Sequence, residues 1–213
     1  MPLPPIIKTL TSEPELNMYI HALGMMHEAK LQHAFEHLAI DFFSHSSIDI
    51  IDYGCGQAIG TICYADFLRE KGYSQKVRKI TLIEPSELAL KRAALHVSCF
   101  FPKAEIVTIL KGFDDLIDDD ISVDGDVPTL HILSNVIDLA DDCFNLEDFT
   151  TLIKDNIKGN MTIVAKAAII PEEGYELTVS HVGAKIRACS DKLRCRSMRL
   201  GRCVAVSKAA GIG

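Results

Sequence analysis

The chain has 213 residues, of which 48% are hydrophobic, 24% charged and 7% aromatic, with no tryptophan. This is the length of one large domain and the composition of an aliphatic globular interior, which argues against disorder and against a carbohydrate-binding or aromatic-caged site. The net charge of −7 divides as −11 over residues 1–170 and +4 over residues 171–213, so the main body is a poor platform for nucleic acid, which is held chiefly by cationic contacts to phosphate.

Met1-Pro2-Leu3-Pro4-Pro5 carries neither the basic start nor the apolar stretch of a secretory signal. No apolar run approaches the roughly 20 residues of a membrane span. The expected location is the cytoplasm, with no membrane partner. Glu13 to Phe43 reads as helix, because Leu16, Tyr19, Ile20, Leu23, Met26, Leu31, Phe35 and Leu38 recur at three- and four-residue spacing, with Gly24 a candidate break. Residues 48–53 are a β-branched run that enters the turn Gly54-Cys55-Gly56, and Ala58 to Lys71 follows as a helix closed by Gly72. Lys79 to Ile83 is the second strand, Ser86 to Val97 a helix capped by Ser86, and Ala104 to Leu110 the third strand. An acidic loop from Asp114 to Asp126 leads to a fourth strand, Thr129 to Leu133. Leu146 to Ile157 reads as helix and Asn160 to Ile170 as the fifth strand.

Strands alternating with helices of 10–15 residues predict a doubly wound α/β fold, its mostly parallel sheet covered by helices on both faces. Residues 1–47 form a helical extension before it. Residues 48–170 form the core, and residues 171–213 a basic segment that is truncated or partly disordered. In that segment only Tyr175 to Val182 reads as a strand. Residues 184–213 set eight Lys and Arg against the single acid Asp191, and parallel-sheet interiors want continuous aliphatic runs. This stretch is expected at the surface, off the sheet, leaving the C-terminal strands incomplete. It is also the one place where a polyanion such as RNA would bind. The seven cysteines contain no C-x-x-C pair, so they read as buried reduced thiols rather than a metal site.

Four segments carry chemistry. In Asp52-Tyr53-Gly54-Cys55-Gly56-Gln57-Ala58-Ile59-Gly60, glycines after a strand let the backbone approach a ligand, and the next helix offers free N–H groups. An acid at this strand end would repel a pyrophosphate but suits a ligand with a sulfonium and an ammonium. Glu84, ending the second strand 28 residues beyond Gly56, can accept two hydrogen bonds from a ribose diol. Phe113, with Asp114 or Asp115, follows the third strand, and Ser134 and Asn135 end the fourth.

Asp52 with Gly-x-Gly resembles the first motif of the class I S-adenosylmethionine-dependent methyltransferases, E/D-x-G-x-G-x-G, with Ala58 in place of the third glycine. Glu84-Pro85-Ser86 resembles their second motif, and the segments around Phe113 and Ser134-Asn135 occupy the places of the third and fourth. The resemblance covers residues 48–170. It implies S-adenosyl-L-methionine as cofactor, contacted by Asp52, Tyr53, Gly54, Cys55, Gly56, Glu84, Pro85, Phe113 (adenine face), Asp114 (adenine amino group), Ser134 and Asn135. It does not identify the methyl acceptor, which is a small molecule, a protein or RNA. No N-P-P-Y motif for a base amino nitrogen is present, and no Pro-Cys or Thr-Cys pair for covalent attack on a pyrimidine. A hydroxyl or amine acceptor needs a base; His131, Asp138, Tyr19, His21 and His27 are the candidates, and none is singled out. Two other readings stand beside methyl transfer: a cofactor-binding domain without catalysis that regulates or scaffolds a partner, and a nicotinamide oxidoreductase, which Asp52 and the lack of a Tyr-x-x-x-Lys pair disfavour.

Overall fold

The first strand, β1 (Ser47–Tyr53), is buried from Ile48 to Tyr53, as expected of a strand paired on both edges and covered on both faces. The computed structural model describes residues 9–136, 139, 143–156, 161–166, 187–188 and 203–208. Its other elements, in chain order, begin with helix α1 (Glu13–Glu36), which precedes β1. After β1 come α2 (Ile59–Lys71), β2 (Lys76–Ile83), α3 (Glu87–Phe100), β3 (Glu105–Ile109) and β4 (Thr129–Ser134). They are followed by α4 (Leu146–Asp155), β5 (Met161–Lys166), β6 (Arg187–Ala188) and β7 (Cys203–Lys208). The strand order is β3-β2-β1-β4-β5-β7-β6. The first five strands run parallel, and β7 runs antiparallel to β5 and β6.

Alternate residues of the strands serve two cores. Ile48, Ile50, Ile80, Leu82, Leu130 and Ile132 pack with residues of α1, α2 and α3. Ile51, Tyr53, Ile83 and Leu133 pack with Phe149 and Ile153 of α4. Helices on both faces make the sheet doubly wound, as the alternation of elements predicts.

Two expectations are corrected. Gly24 does not divide the first helix: α1 runs unbroken for 24 residues. A single interior glycine costs about 1 kcal/mol. Against that, Ser12 and Glu15 form a capping box, and Phe35 packs against Tyr64 and Phe67 of α2. The C-terminal stretch also does not all lie off the sheet. Cys203-Val204-Ala205-Val206-Ser207-Lys208 pairs residue for residue with Met161–Lys166. An antiparallel strand near a sheet edge needs only a short apolar stretch, which Val204–Val206 supplies. Tyr175 to Val182 lies outside the described residues. Among the described residues, no helix is long and apolar enough to cross a membrane. Cys55 and Cys63 are buried as expected, whereas Cys99 and Cys143 are exposed.

Candidate cofactor site

β1 delivers the chain into a turn at the point where the sheet order reverses, with β2 on one side and β4 on the other. This is where open α/β sheets hold ligands. Gly54 and Gly56 have φ of +57° and +54°, which an L side chain rarely adopts. The two glycines differ in surroundings. A Cβ on Gly54 would lie 2.5 Å from Val136 Cγ1 and 3.3 Å from Phe113 Cζ, whereas one on Gly56 would meet nothing within 4 Å. Gly54 is closed in by protein, and Gly56 faces open space. Ala58, where the resemblance puts a third glycine, also has a positive φ of 63°.

One carboxyl group lies at the turn and a second is buried beneath it. Glu84 Oε2 accepts from the Gly56 N–H and Oε1 from the Ser86 N–H, each at 3.0 Å. A carboxylate has about four acceptor positions, so two remain for a ligand diol. Burial raises the Glu84 pKa, opposed by those two amides. Asp52 is 1% exposed and does not line the turn directly. Its Oδ2 accepts from Thr61 Oγ1 at 2.7 Å and from the Thr61 N–H at 3.3 Å, which fixes the first turn of α2. Its Oδ1 has no hydrogen-bond partner. Burial pushes the Asp52 pKa up from 3.8 to about 7.

The raised value has a testable sign. Between pH 4 and 7 the folded chain keeps a proton on Asp52 that the unfolded chain releases. Stability from this group is therefore full below pH 4 and is lost as pH rises through 7. Asp52→Asn removes that titration, so parent and variant should diverge by about 1.4 kcal/mol per pH unit across this window, the parent weakening as pH rises. Urea unfolding at pH 5, 6, 7 and 8 checks this; parallel stability curves would show that Asp52 titrates normally.

Gly60 lies inside α2, where alanine is ordinarily the better residue. In the structure a Cβ there would sit 2.8 Å from Ile132 Cγ2 and 3.3 Å from Asp52 Oδ2. The helix gain of about 1 kcal/mol is set against overpacking of about 1–3 kcal/mol. Gly60→Ala should therefore lose up to about 2 kcal/mol in chemical unfolding rather than gain stability.

Helix α1 lies over the turn. Gln57 Nε2 donates to the Leu16 carbonyl at 2.9 Å, and Arg92 of α3 donates to Asn17 Oδ1 at 2.7 Å and pairs with Glu13. Further along α1, Tyr19 and His27 stack at 5.6 Å with 18° between their planes, and the Tyr19 hydroxyl lies 3.3 Å from His27 Nε2. Both reach Asn135 at the end of β4. The Asn135 Nδ2 contacts both ring nitrogens of His27, and its side chain opposes the rise that burial gives the Tyr19 pKa. Asn135 is itself in the left-handed region, φ 59°, and its Oδ1 is buried without a partner. Sequence reasoning singled out each of these residues but not their meeting.

The remaining candidates are placed as follows. Phe113 lies against Gly54 and stacks on Phe144, centroids 4.4 Å apart, so it reaches the turn. Asp114 turns away, its Oδ1 accepting from the Asn145 N–H ahead of α4, and Asp115 is exposed. Pro85 is exposed, and Ser134 is half-buried at the end of β4. The Tyr53 side chain also departs from a cofactor-contacting role. Its parity on β1 sends it to the α4 face, where it bonds His131 Nδ1 at 3.0 Å and packs on Phe149. Only its backbone belongs to the turn. The Cys55 thiol is buried, which pushes its pKa well up and keeps it protonated. Burial lowers His131 to about 4, so it is a neutral core residue. His21 is exposed, and Asp138 lies outside the described residues. Among the described residues, no group of three His, Cys, Asp or Glu side chains is placed to hold a metal ion.

The donor set suits a cation. Two buried acceptor oxygens without partners, Asp52 Oδ1 and Asn135 Oδ1, stand at the ends of adjacent strands. A buried acceptor left unpaired costs free energy that a cationic or N–H-bearing ligand would recover. A pyrophosphate at the same place would meet the Glu84 carboxyl, with the Asp52 carboxyl buried behind the turn.

Neither a protein-family model nor a curated protein matches the sequence. Solved structures do match. A chain from Methanococcus maripaludis, provisionally assigned as an S-adenosyl-L-methionine-dependent methyltransferase, superposes with a TM-score of 0.61 at 10% identity over 96% of each chain. A SAM-dependent methyltransferase from Leishmania major superposes at 0.56 and 12% identity, over 93% of this chain and 78% of its own. The plantazolicin methyltransferase BpumL, solved with SAH, superposes at 0.55 and 10% identity, over 93% and 91%. At these identities the likeness is one of fold. Its strand order and these superpositions give the chain the class I, Rossmann-like methyltransferase fold.

Proposed function

We propose that this chain binds S-adenosyl-L-methionine and transfers its methyl group to an acceptor in the cytoplasm. The observation that carries the reading is the Glu84 carboxyl at the glycine turn, with acceptor positions left for a diol. Glu84 is tied to the turn through the Gly56 amide, and Asp52 beneath it has an unpartnered oxygen. A ribose acceptor at the glycine turn supports a nucleoside cofactor, and the buried Asp52 carboxyl beneath the turn favours a cationic ligand over a pyrophosphate. In this reading Glu84 would hold the ribose, the Gly54–Gly56 backbone and Phe113 would border the nucleoside, and Asn135 would stand at the methionine end. The bound cofactor supplies an electrophilic methyl group; the chain's part is to align it with an acceptor.

Calorimetric titration with S-adenosylmethionine, S-adenosylhomocysteine and NAD tests the reading. Binding of the first two and not the third is expected; binding of NAD alone would overturn it. A second reading, a cofactor-binding domain without catalysis, draws on Asp114, which faces α4 instead of the adenine side. Transfer of labelled methyl groups to fractionated cell extract separates the two.

A further inference from the structure

We infer that Gln57 and Arg92 are positioning residues for the nucleoside cofactor, and that helix α1 belongs to the cofactor site through them. Arg92 and α1 hold the Gln57 side chain, and Gln57 holds the strained Gly56–Ala58 turn in the shape that receives the ligand. The inference rests on the cofactor reading above and adds to it residues that act through the turn.

The backbone on either side of Gln57 is costly. Gly56 has φ of +54° and Ala58 φ of +63°; the left-handed region is open to glycine but disfavoured for alanine. Ala58 is also the N-cap of α2, and it offers no side-chain cap to the helix. Such conformations persist where their surroundings over-determine them. On the inner side of the turn the Asp52 carboxyl accepts from the Thr61 hydroxyl and amide. On the outer side the fastener is Gln57.

Gln57 is 2% exposed, and three of its polar groups are engaged by two other helices. Its Nε2 donates to the Leu16 carbonyl of α1 at 2.9 Å. Its Oε1 accepts from Arg92 of α3 at 3.2 Å, and its backbone carbonyl accepts from His96 Nδ1 at 3.1 Å. A carbonyl only accepts and a guanidinium only donates, so one orientation of the amide satisfies both neighbours. Arg92 also reaches α1, donating to Asn17 Oδ1 at 2.7 Å and pairing with Glu13. Its branched guanidinium suits the task of holding several acceptors at once. Ahead of α1, the Leu10 carbonyl accepts from Ser86 Oγ, two residues beyond Glu84. Residues 10–17 therefore touch both sides of the link from the Gly56 N–H to Glu84 Oε2, Ser86 beside Glu84 and Gln57 beside Gly56. Glu13 and Asn17 are exposed and Arg92 half-buried, so they add little to the cores; what they hold in place is Gln57.

The strain at Ala58 makes the role testable. When Arg92 no longer holds Gln57, Ala58 relaxes out of the left-handed region, and a ligand must restore it. Arg92→Met should weaken S-adenosylhomocysteine binding about 10-fold in calorimetry, equivalent to about 1.4 kcal/mol, the scale of one left-handed alanine. In the ligand-free protein the same variant should speed hydrogen exchange of the Gly56 amide about 10-fold, read by NMR. Arg92→Lys, which keeps the charge and loses the fork, should fall between parent and Arg92→Met. Ala58→Gly is the discriminating partner, because glycine adopts this backbone without strain. Added to Ala58→Gly, Arg92→Met should cost less than about threefold in affinity. From the other side, Glu13→Gln with Asn17→Ala leaves the turn and Arg92 unaltered and should weaken binding in the same direction.

Unchanged affinity and Gly56 exchange in Arg92→Met would overturn the inference while leaving cofactor binding intact. Equal losses with and without Ala58→Gly would show a general structural role for Arg92 and overturn it as well. Parent-like binding by the Glu13→Gln, Asn17→Ala variant would take α1 out of the site. Failure of the parent to bind S-adenosylhomocysteine would remove the cofactor reading and this inference together.

Discussion

Gly54→Ala should lose about 2–5 kcal/mol of folding stability and, with it, measurable affinity for S-adenosylhomocysteine. Two costs combine. The left-handed backbone of Gly54, φ +57°, costs an L residue about 1–2 kcal/mol. The new methyl would lie 2.5 Å from Val136 Cγ1 and 3.3 Å from Phe113 Cζ, an overpacking of about 1–3 kcal/mol. From the sequence, the expected obstacle to a larger side chain here is the cofactor; in the structure the first obstacle is the protein's own Val136. Gly56→Ala is the internal control. It has the same backbone strain and no neighbour within 4 Å, so its stability loss should be limited to the strain, while a ligand at the open side is still obstructed. Chemical unfolding and calorimetry on both variants check the pair. Equal stability losses would mean that the Val136 contact relaxes without cost.

Glu84→Ala should weaken S-adenosylhomocysteine binding about 10- to 150-fold, the equivalent of about 1.5–3 kcal/mol for charge-assisted hydrogen bonds. It should also lower stability by about 1–3 kcal/mol, because the Gly56 and Ser86 amides each lose their acceptor. A strand-end acid read from sequence alone carries no such structural load, since the tie to Gly56 spans 28 positions. Glu84→Gln separates the two effects, because its amide oxygen still accepts from one backbone N–H. It should recover part of the stability and less of the affinity. A Glu84→Ala variant that binds as tightly as the parent would show that this carboxylate is not the ribose ligand.

Much of the core was legible because its signals are local. The β-branched run of β1, Gly72 at the end of α2 and Ser86 at the start of α3 each lie inside or beside the element they define, and the structure places them there. What was not legible is non-local. The meeting of His27 with Asn135 joins residues 108 positions apart, and nothing near either one signals the other. The packing of Gly60 on Ile132 is hidden for the same reason, so a helical glycine reads as a weak point when it is a point of close approach. The strand β7 was missed because Val204-Ala205-Val206 is short and stands among arginines. Antiparallel pairing to β5 asks less of a sequence than burial in a parallel interior.

The position of β7 has a consequence for synthesis. When β5 leaves the ribosome, its inner edge can pair at once with β4, which is already made, but its outer edge waits until Cys203–Lys208 has also emerged. During that interval a row of unpaired backbone amides and carbonyls is open to any other chain. A nascent chain halted before residue 203 should therefore be prone to aggregation, with β5 as its adhesive edge, even though every residue described at the cofactor site has already been translated.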